Sequence, residues 1–105
     1  MNLQSVRVVR IYLSEARGDA ERLLKQLHED WHVHGVTVYR GIAGFGDSGK
    51  LHTTRVLDVS HDLPVVVEFY DSPDRIDDVL NGMHGVKPRH LLTWVADTWM
   101  GDDDA

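Results

Sequence analysis

Apolar residues recur along this chain with two alternating periods. From Val6 to Leu13 the run Val-Arg-Val-Val-Arg-Ile-Tyr-Leu is rich in β-branched residues and too short for a typical helix, so it predicts a strand. Val9, Ile11 and Leu13 fall on one face and Val8, Arg10 and Tyr12 on the other, and neither face is simply polar. Ser14 to Gly18 turns the chain, with Gly18 or Asp19 as a helix cap. Between Asp19 and Trp31 the period changes: Ala20, Leu23, Leu24, Leu27 and Trp31 stand at offsets of 0, 3, 4, 7 and 11, the stripe of an amphipathic helix that covers a sheet. Gly35 is the expected stop of that helix.

Val36 to Ile42 predicts the second strand, and Leu51 to Val59 a third extended piece with imperfect alternation, a projecting arm or part of a long hairpin. Pro64 opens the strand Val65 to Tyr70, where a first-position proline removes no interior ladder bond. Ser72 at N-cap and Pro73 at N1 then start a second helix whose buried stripe is Ile76, Val79, Leu80 and Met83, with Gly82 and Gly85 punctuating its end. Leu91 to Met100 is the last strand. It carries Leu92, Trp94, Ala96 and Met100 on one face and Leu91, Val95 and Trp99 on the other.

The order β-α-β, long loop, β-α-β predicts an α+β fold, the ferredoxin-like βαββαβ sandwich, with a long arm between the second and third strands. Two helices cover only one face of a four-stranded sheet. Because the first and last strands of the sequence carry apolar or aromatic residues on both faces, the second face calls for self-association. Arg10 and Arg40 lie inside apolar strands and need partners, for which Glu68 is the evident candidate.

Composition narrows the function. The 105 residues suit one domain, 1–105, with Asp102-Asp103-Asp104 a frayed, solvated end at 101–105. A formal charge of -6 disfavours nucleic acid and anionic membrane surfaces as partners. The absence of cysteine excludes disulfides, thiolate catalysis and cysteine zinc sites. No signal-like segment or apolar run of about 20 residues occurs, so no membrane insertion is expected and a cytoplasmic location is.

Candidate chemistry gathers at Arg40 to His52. Gly41, Gly44, Gly46 and Gly49 fall within nine positions, which requires sharp turning, positive φ, or close approach of a ligand to the backbone. Gly44-Phe-Gly-Asp-Ser-Gly-Lys50 spans the GxxxxGK interval, but Leu51 follows Lys50 where the motif requires Ser or Thr, so it fails as a triphosphatase loop. A structural turn and a ligand-lining backbone both remain open. Ser48, His52 and Asp47 are too close in sequence to be read as a triad, and no nucleophile and base are identifiable, which points away from an enzyme. His52 suits a loop hydrogen bond and Arg55 an anionic ligand or partner. His28 and His32 stand at i and i+4 but lack a third ligand of fixed geometry, so they are weak metal candidates.

Several separated blocks resemble one bacterial family: Arg10-Ile-Tyr-Leu-Ser-Glu15, Arg40-Gly-Ile-Ala-Gly-Phe-Gly46, His52-Thr-Thr54, and Ser60-His-Asp-Leu-Pro64 followed by Val65-Val-Val-Glu68. Over residues 6 to 83 the chain is similar to the family known as domain of unknown function 190, which is regarded as PII-like. The resemblance implies a trimer whose sheets face a common axis, with Gly44-Phe-Gly46 and Gly49-Lys50 at the base of a signalling loop that returns through Ser60 to Pro64. It also implies a cleft between subunits that holds an adenine nucleotide as an effector, with no cofactor required, and a partner such as a membrane transporter or channel. PII proteins carry a second glycine- and lysine-rich loop after the second helix, and here Gly85-Val-Lys-Pro-Arg-His90 takes its place. Lys87, Arg89 and His90 can supply charge there, without a cradle of glycine amides. The expected ligand set is therefore Arg40, Gly41, Gly44, Phe45, Gly46, Lys50, His52, Arg55, Lys87 and Arg89. The alternative expectation is a ligand-free structural or interaction module, or a metal-binding trimer.

Overall fold

The computed structural model of the chain describes residues 2–14, 18–44, 52–53, 64–86 and 90–100. Its elements are β1 (Asn2–Ser14), α1 (Asp19–Lys25) running into a π-helical turn at Gln26–Asp30, β2 (Gly35–Arg40), β3 (Ala43–Gly44), β4 (His52–Thr53), β5 (Pro64–Asp71), α2 (Pro73–Gly82) and β6 (His90–Met100). The main sheet is antiparallel in the order β2-β5-β1-β6, which is the ferredoxin-like arrangement, and β3 with β4 makes a separate two-stranded ladder.

Register assigns every strand residue to a face. Val9 opposes Phe69, Ile11 opposes Val67 and Leu13 opposes Val65, and all six are buried under the helices. From the helices Leu23, Leu27, Ile76 and Val79 complete this core, each with no exposed surface. Burial of that kind contributes about 1.5–3 kcal/mol per large aliphatic side chain. The other face carries Val8, Arg10 and Tyr12 of β1 against Tyr70, Glu68 and Val66 of β5, and no described helix covers it.

The first helix differs from its expected form. Leu24 belongs to the apolar stripe by spacing but is 40% exposed. The chain also leaves α-helical geometry at Gln26, where Trp31 N–H donates to the Gln26 carbonyl at 3.1 Å, a five-residue closure. Gly35 is not the stop. Reversal occurs at His32, whose φ of 51° lies in the left-handed region, and Gly35 already begins β2. Its lack of a side chain serves Tyr70 instead, since a Cβ on Gly35 would stand 2.5 Å from the Tyr70 ring. Gly82 is the last residue of α2, as expected, and also admits the Trp31 indole, which a Cβ would meet at 2.4 Å.

Two further boundaries shift. β2 ends at Arg40, and Ile42 is 75% exposed beyond it. β1 extends back to Asn2 because β6 pairs along its whole length, from Asn2 with Met100 to Tyr12 with His90. Ser72 occupies the N-cap as expected but makes no capping hydrogen bond through its side chain. Its backbone N–H is instead held by Asp71 at 2.7 Å. Of the extended piece expected at Leu51 to Val59, His52–Thr53 is a strand and the rest lies outside the described residues, as do the acidic residues of 101–105.

Candidate functional site

The root of the glycine stretch is built by two contacts. Gly41 N–H donates to the Pro64 carbonyl at 2.7 Å, so the chain leaving β2 is tied to the chain entering β5. A Cβ on Gly41 would stand 2.5 Å from Pro64 Cγ, which makes glycine a steric requirement at this point. Just beyond, Ala43 pairs with Thr53 and Gly44 with His52, so a short hairpin rises from the root and brings Gly44 and His52 together. Arg40 is exposed at the end of β2, opposite Val65. That places it on the helix-covered side, away from Glu68. Phe45, Gly46, Lys50 and Arg55 lie outside the described residues, as do Lys87 and Arg89.

Of the second expected contributor, 85–90, the closing residue His90 lies at the same end of the sheet. His90 opens β6 opposite Tyr12, one residue from the level at which Leu13, Val65 and Arg40 align across the other strands. The Tyr12 and His90 rings meet edge-on with centroids 5.9 Å apart. Yet β2 and β6 are opposite edges of the sheet. Three interstrand spacings separate them, roughly 14 Å. One chain thus presents its two candidate ligand elements at one end but at opposite corners.

A residue that spacing could not single out positions the second element. Gln26, in the π-helical turn, donates from Nε2 to the His84 carbonyl at 2.6 Å and accepts from the His84 N–H at 3.4 Å. It so fixes the segment that follows α2, where Gly85 turns with φ of 72°. A half-buried glutamine on a helix gives no sequence signal of this role. The reversal at His32 is locked in the same manner. Asp71 accepts from His34 N–H at 3.0 Å and from Arg75 Nε at 3.1 Å, while Arg75 also donates to the Trp31 carbonyl.

Arg10 and Glu68 do form the expected pair. Nε and Nη2 of Arg10 both donate to Glu68 Oε1, at 2.9 and 2.7 Å, and the guanidinium lies 5.2 Å from the Trp94 ring centroid. The pair is half-exposed on the open face and not buried in the subunit core. Its hydrogen bond to Glu68, and then that to Tyr12, raise the Arg10 pKa from a value already far above neutrality. On the arginine side the pair therefore stays charged through the neutral range and is broken by deprotonation only in strong alkali.

A separate groove of about 790 Å³ opens at the start of β2, the end remote from the root, and is rimmed by Glu21, Lys25, His28, His32 and His34. The weak metal candidates His28 and His32 therefore share one groove. Among the described residues no group of three His, Asp or Glu side chains is placed to hold a metal ion. Nor is any described helix long and apolar enough to cross a membrane.

Comparison with known proteins agrees with this architecture. Among solved structures, CPII of Thiomonas intermedia K12, a nitrogen regulatory PII-like protein bound to ADP, AMP and bicarbonate, superposes with a TM-score of 0.68 at 15% identity, covering 92% of this chain and 91% of that one. A putative PII-like signaling protein of Thermus thermophilus, TTHA0516, gives 0.57 at 19% identity over 95% and 93% of the two chains. In sequence, a UPF0166 protein of Aquifex aeolicus (strain VF5) is 30% identical over 97 residues, 89% of this chain and 91% of its own length. The model of the DUF190 family, described as "Uncharacterized ACR, COG1993", matches residues 6–96. With the PII-like fold and this match over most of its length, the chain belongs to the domain of unknown function 190 family.

Proposed function

We propose that this chain is a PII-like regulatory protein that binds an adenine nucleotide between copies of itself. The observation that carries the proposal is the placement of its two candidate ligand elements. The root and hairpin at Arg40, Gly41, Gly44 and His52 lie at one corner of the sheet, and His90, the first residue of β6, lies at the other corner of the same end. Roughly 14 Å is too far for one anionic group to touch both, whereas the corner of one copy set against the opposite corner of another would close a cleft. The likeness of fold to CPII, which is known bound to ADP, AMP and bicarbonate, supports the class of ligand. In this reading Phe45, Gly46 and Lys50 join the root, and Arg55, Lys87 and Arg89 bring positive charge to the phosphates.

The mechanism requires no covalent step. Nucleotide binding would favour one arrangement of residues 45–63 over another, and a homotrimer would present that arrangement to a partner such as a membrane transporter. The population shift is limited by the ligand's differential affinity for the two states. The test is a thermal-shift panel of ADP, AMP, ATP, cyclic AMP and bicarbonate, since a ligand of the folded state raises its apparent stability. A rise with at least one adenine nucleotide is expected. A flat response to all five at millimolar concentration overturns nucleotide binding and leaves the ligand-free interaction module.

A further inference from the structure

The groove at the start of β2 combines the two kinds of surface that a small ligand needs. Its floor is apolar: Leu24, Leu27, Val33 and Val36 line it, and Leu24 is 40% exposed although its spacing belongs to the core stripe. Its rim is polar, with the carboxylates of Glu21 and Glu29, the Lys25 ammonium and the imidazoles of His28, His32 and His34. Among the described residues none of these six side chains makes a hydrogen bond or an ion pair. Glu21 and Lys25 stand four apart on α1, where opposite charges are neighbours, yet they do not pair. The volume of about 790 Å³ falls within the range of small-molecule sites, roughly 300–1,000 Å³.

The backbone around the groove is irregular in two places and firmly held. The π-helical turn Gln26–Asp30 supplies His28 and Glu29, and His32 takes its left-handed φ of 51° at the rim. Both features are uncommon and concentrate at functional sites. Asp71 accepts from the His34 N–H and Arg75 donates to the Trp31 carbonyl, so His32 and His34 are presented by a backbone that is already fixed.

The charges select the ligand. An anion alone meets Glu21 and Glu29, a cation alone meets Lys25, and an uncharged apolar molecule would cover these groups without pairing them. A metal ion lacks a group of three described side chains placed to hold it. A zwitterion with an apolar body suits every part of the groove. Its carboxylate takes Lys25 and imidazole N–H donors, its ammonium goes to Glu21 or Glu29, and its apolar body lies on Leu24 and Val36. We propose that the groove is a binding site for a free α-amino acid with an apolar side chain. The site is at the end of the sheet remote from the proposed nucleotide cleft and does not depend on that reading.

The test is a chemical-shift titration of the isotopically labelled full chain with L-leucine, L-methionine and L-phenylalanine. The tightest binder is then compared with its decarboxylated amine and its deaminated acid, which keep the apolar body and one of the two charges. At least one amino acid should give saturable shifts at millimolar concentration or below, centred on the amides of residues 21–36. Each one-charge analogue should bind at least tenfold more weakly. Leu24 and Lys25 are both exposed, so Leu24→Asp and Lys25→Met should fold as the native chain does and should each weaken binding at least tenfold. Circular dichroism checks the folding, and the analogue comparison, made on the native chain, stays decisive if a variant is not folded. Three amino acids without effect at millimolar concentration overturn the site. A one-charge analogue that binds as tightly as its amino acid overturns the zwitterion. Native affinity in both folded variants puts the ligand elsewhere and overturns the proposal.

Discussion

The two faces of the main sheet are made by the same strands, one residue out of phase, and they have been finished differently. On the covered face Val9, Ile11, Val67 and Phe69 have no exposed surface and contact Leu23, Leu27, Ile76 and Val79. On the open face, aromatic side chains surround a single ion pair, and three large apolar residues stay 38% to 51% exposed. The lesson lies in what each face has to specify. Close packing of aliphatics within one chain needs only shape, because the chain's own loops determine which elements meet. A face that must recognise another molecule gains from a polar group that punishes the wrong fit.

The strongest way to break the comparison is to damage both faces equally. Phe69→Ala opens a cavity in the covered face and should cost about 3–5 kcal/mol, read as a lower urea midpoint in chemical denaturation. Trp94→Ala, on the open face, should cost the folding of the single chain about 1 kcal/mol or less while weakening association at least tenfold. Equal losses of folding stability would show that the open face is ordinary core. A smaller effect tests the root. Gly41→Ala forces a Cβ against Pro64 Cγ at 2.5 Å, and the displacement should cost about 1–3 kcal/mol and lower nucleotide affinity along with stability.

Smaller still is the lock on the reversal after the first helix. Arg75→Ala removes the bond to Asp71 and the cap on the Trp31 carbonyl, and should cost about 1–2 kcal/mol by thermal melting. His32→Gly relieves a left-handed residue and should stabilise by up to about 1 kcal/mol.

Legibility from the sequence follows the range of the interactions concerned. Strand faces and helix stripes were readable because periodicity reports burial directly, and Val9, Ile11, Leu13, Leu23 and Leu27 are buried where their spacing put them. Arg10 with Glu68 was readable because a charge in an apolar strand demands a partner. Gly35 was misread as punctuation because what it accommodates, the Tyr70 ring, comes from distant sequence, and the contact of Gly82 with the Trp31 ring was invisible for the same reason although Gly82 does end α2. The length of β1 depends on β6, at the far end of the chain, which no local pattern carries. At the candidate site, the pinning of Gly41 by Pro64 and the hold of Gln26 on His84 are tertiary contacts with no sequence signature. Phe45, Gly46, Lys50, Arg55, Lys87 and Arg89 remain assigned by resemblance.

The most direct test of the central claim, a nucleotide site completed only between copies, is isothermal titration of the full chain with ADP above and below its concentration of half-dissociation. The account predicts saturable binding of about one ADP per chain when assembled, and loss of that binding as the assembly dissociates. ADP binding of the same affinity by the dissociated chain, or no heat at millimolar ADP, would contradict it.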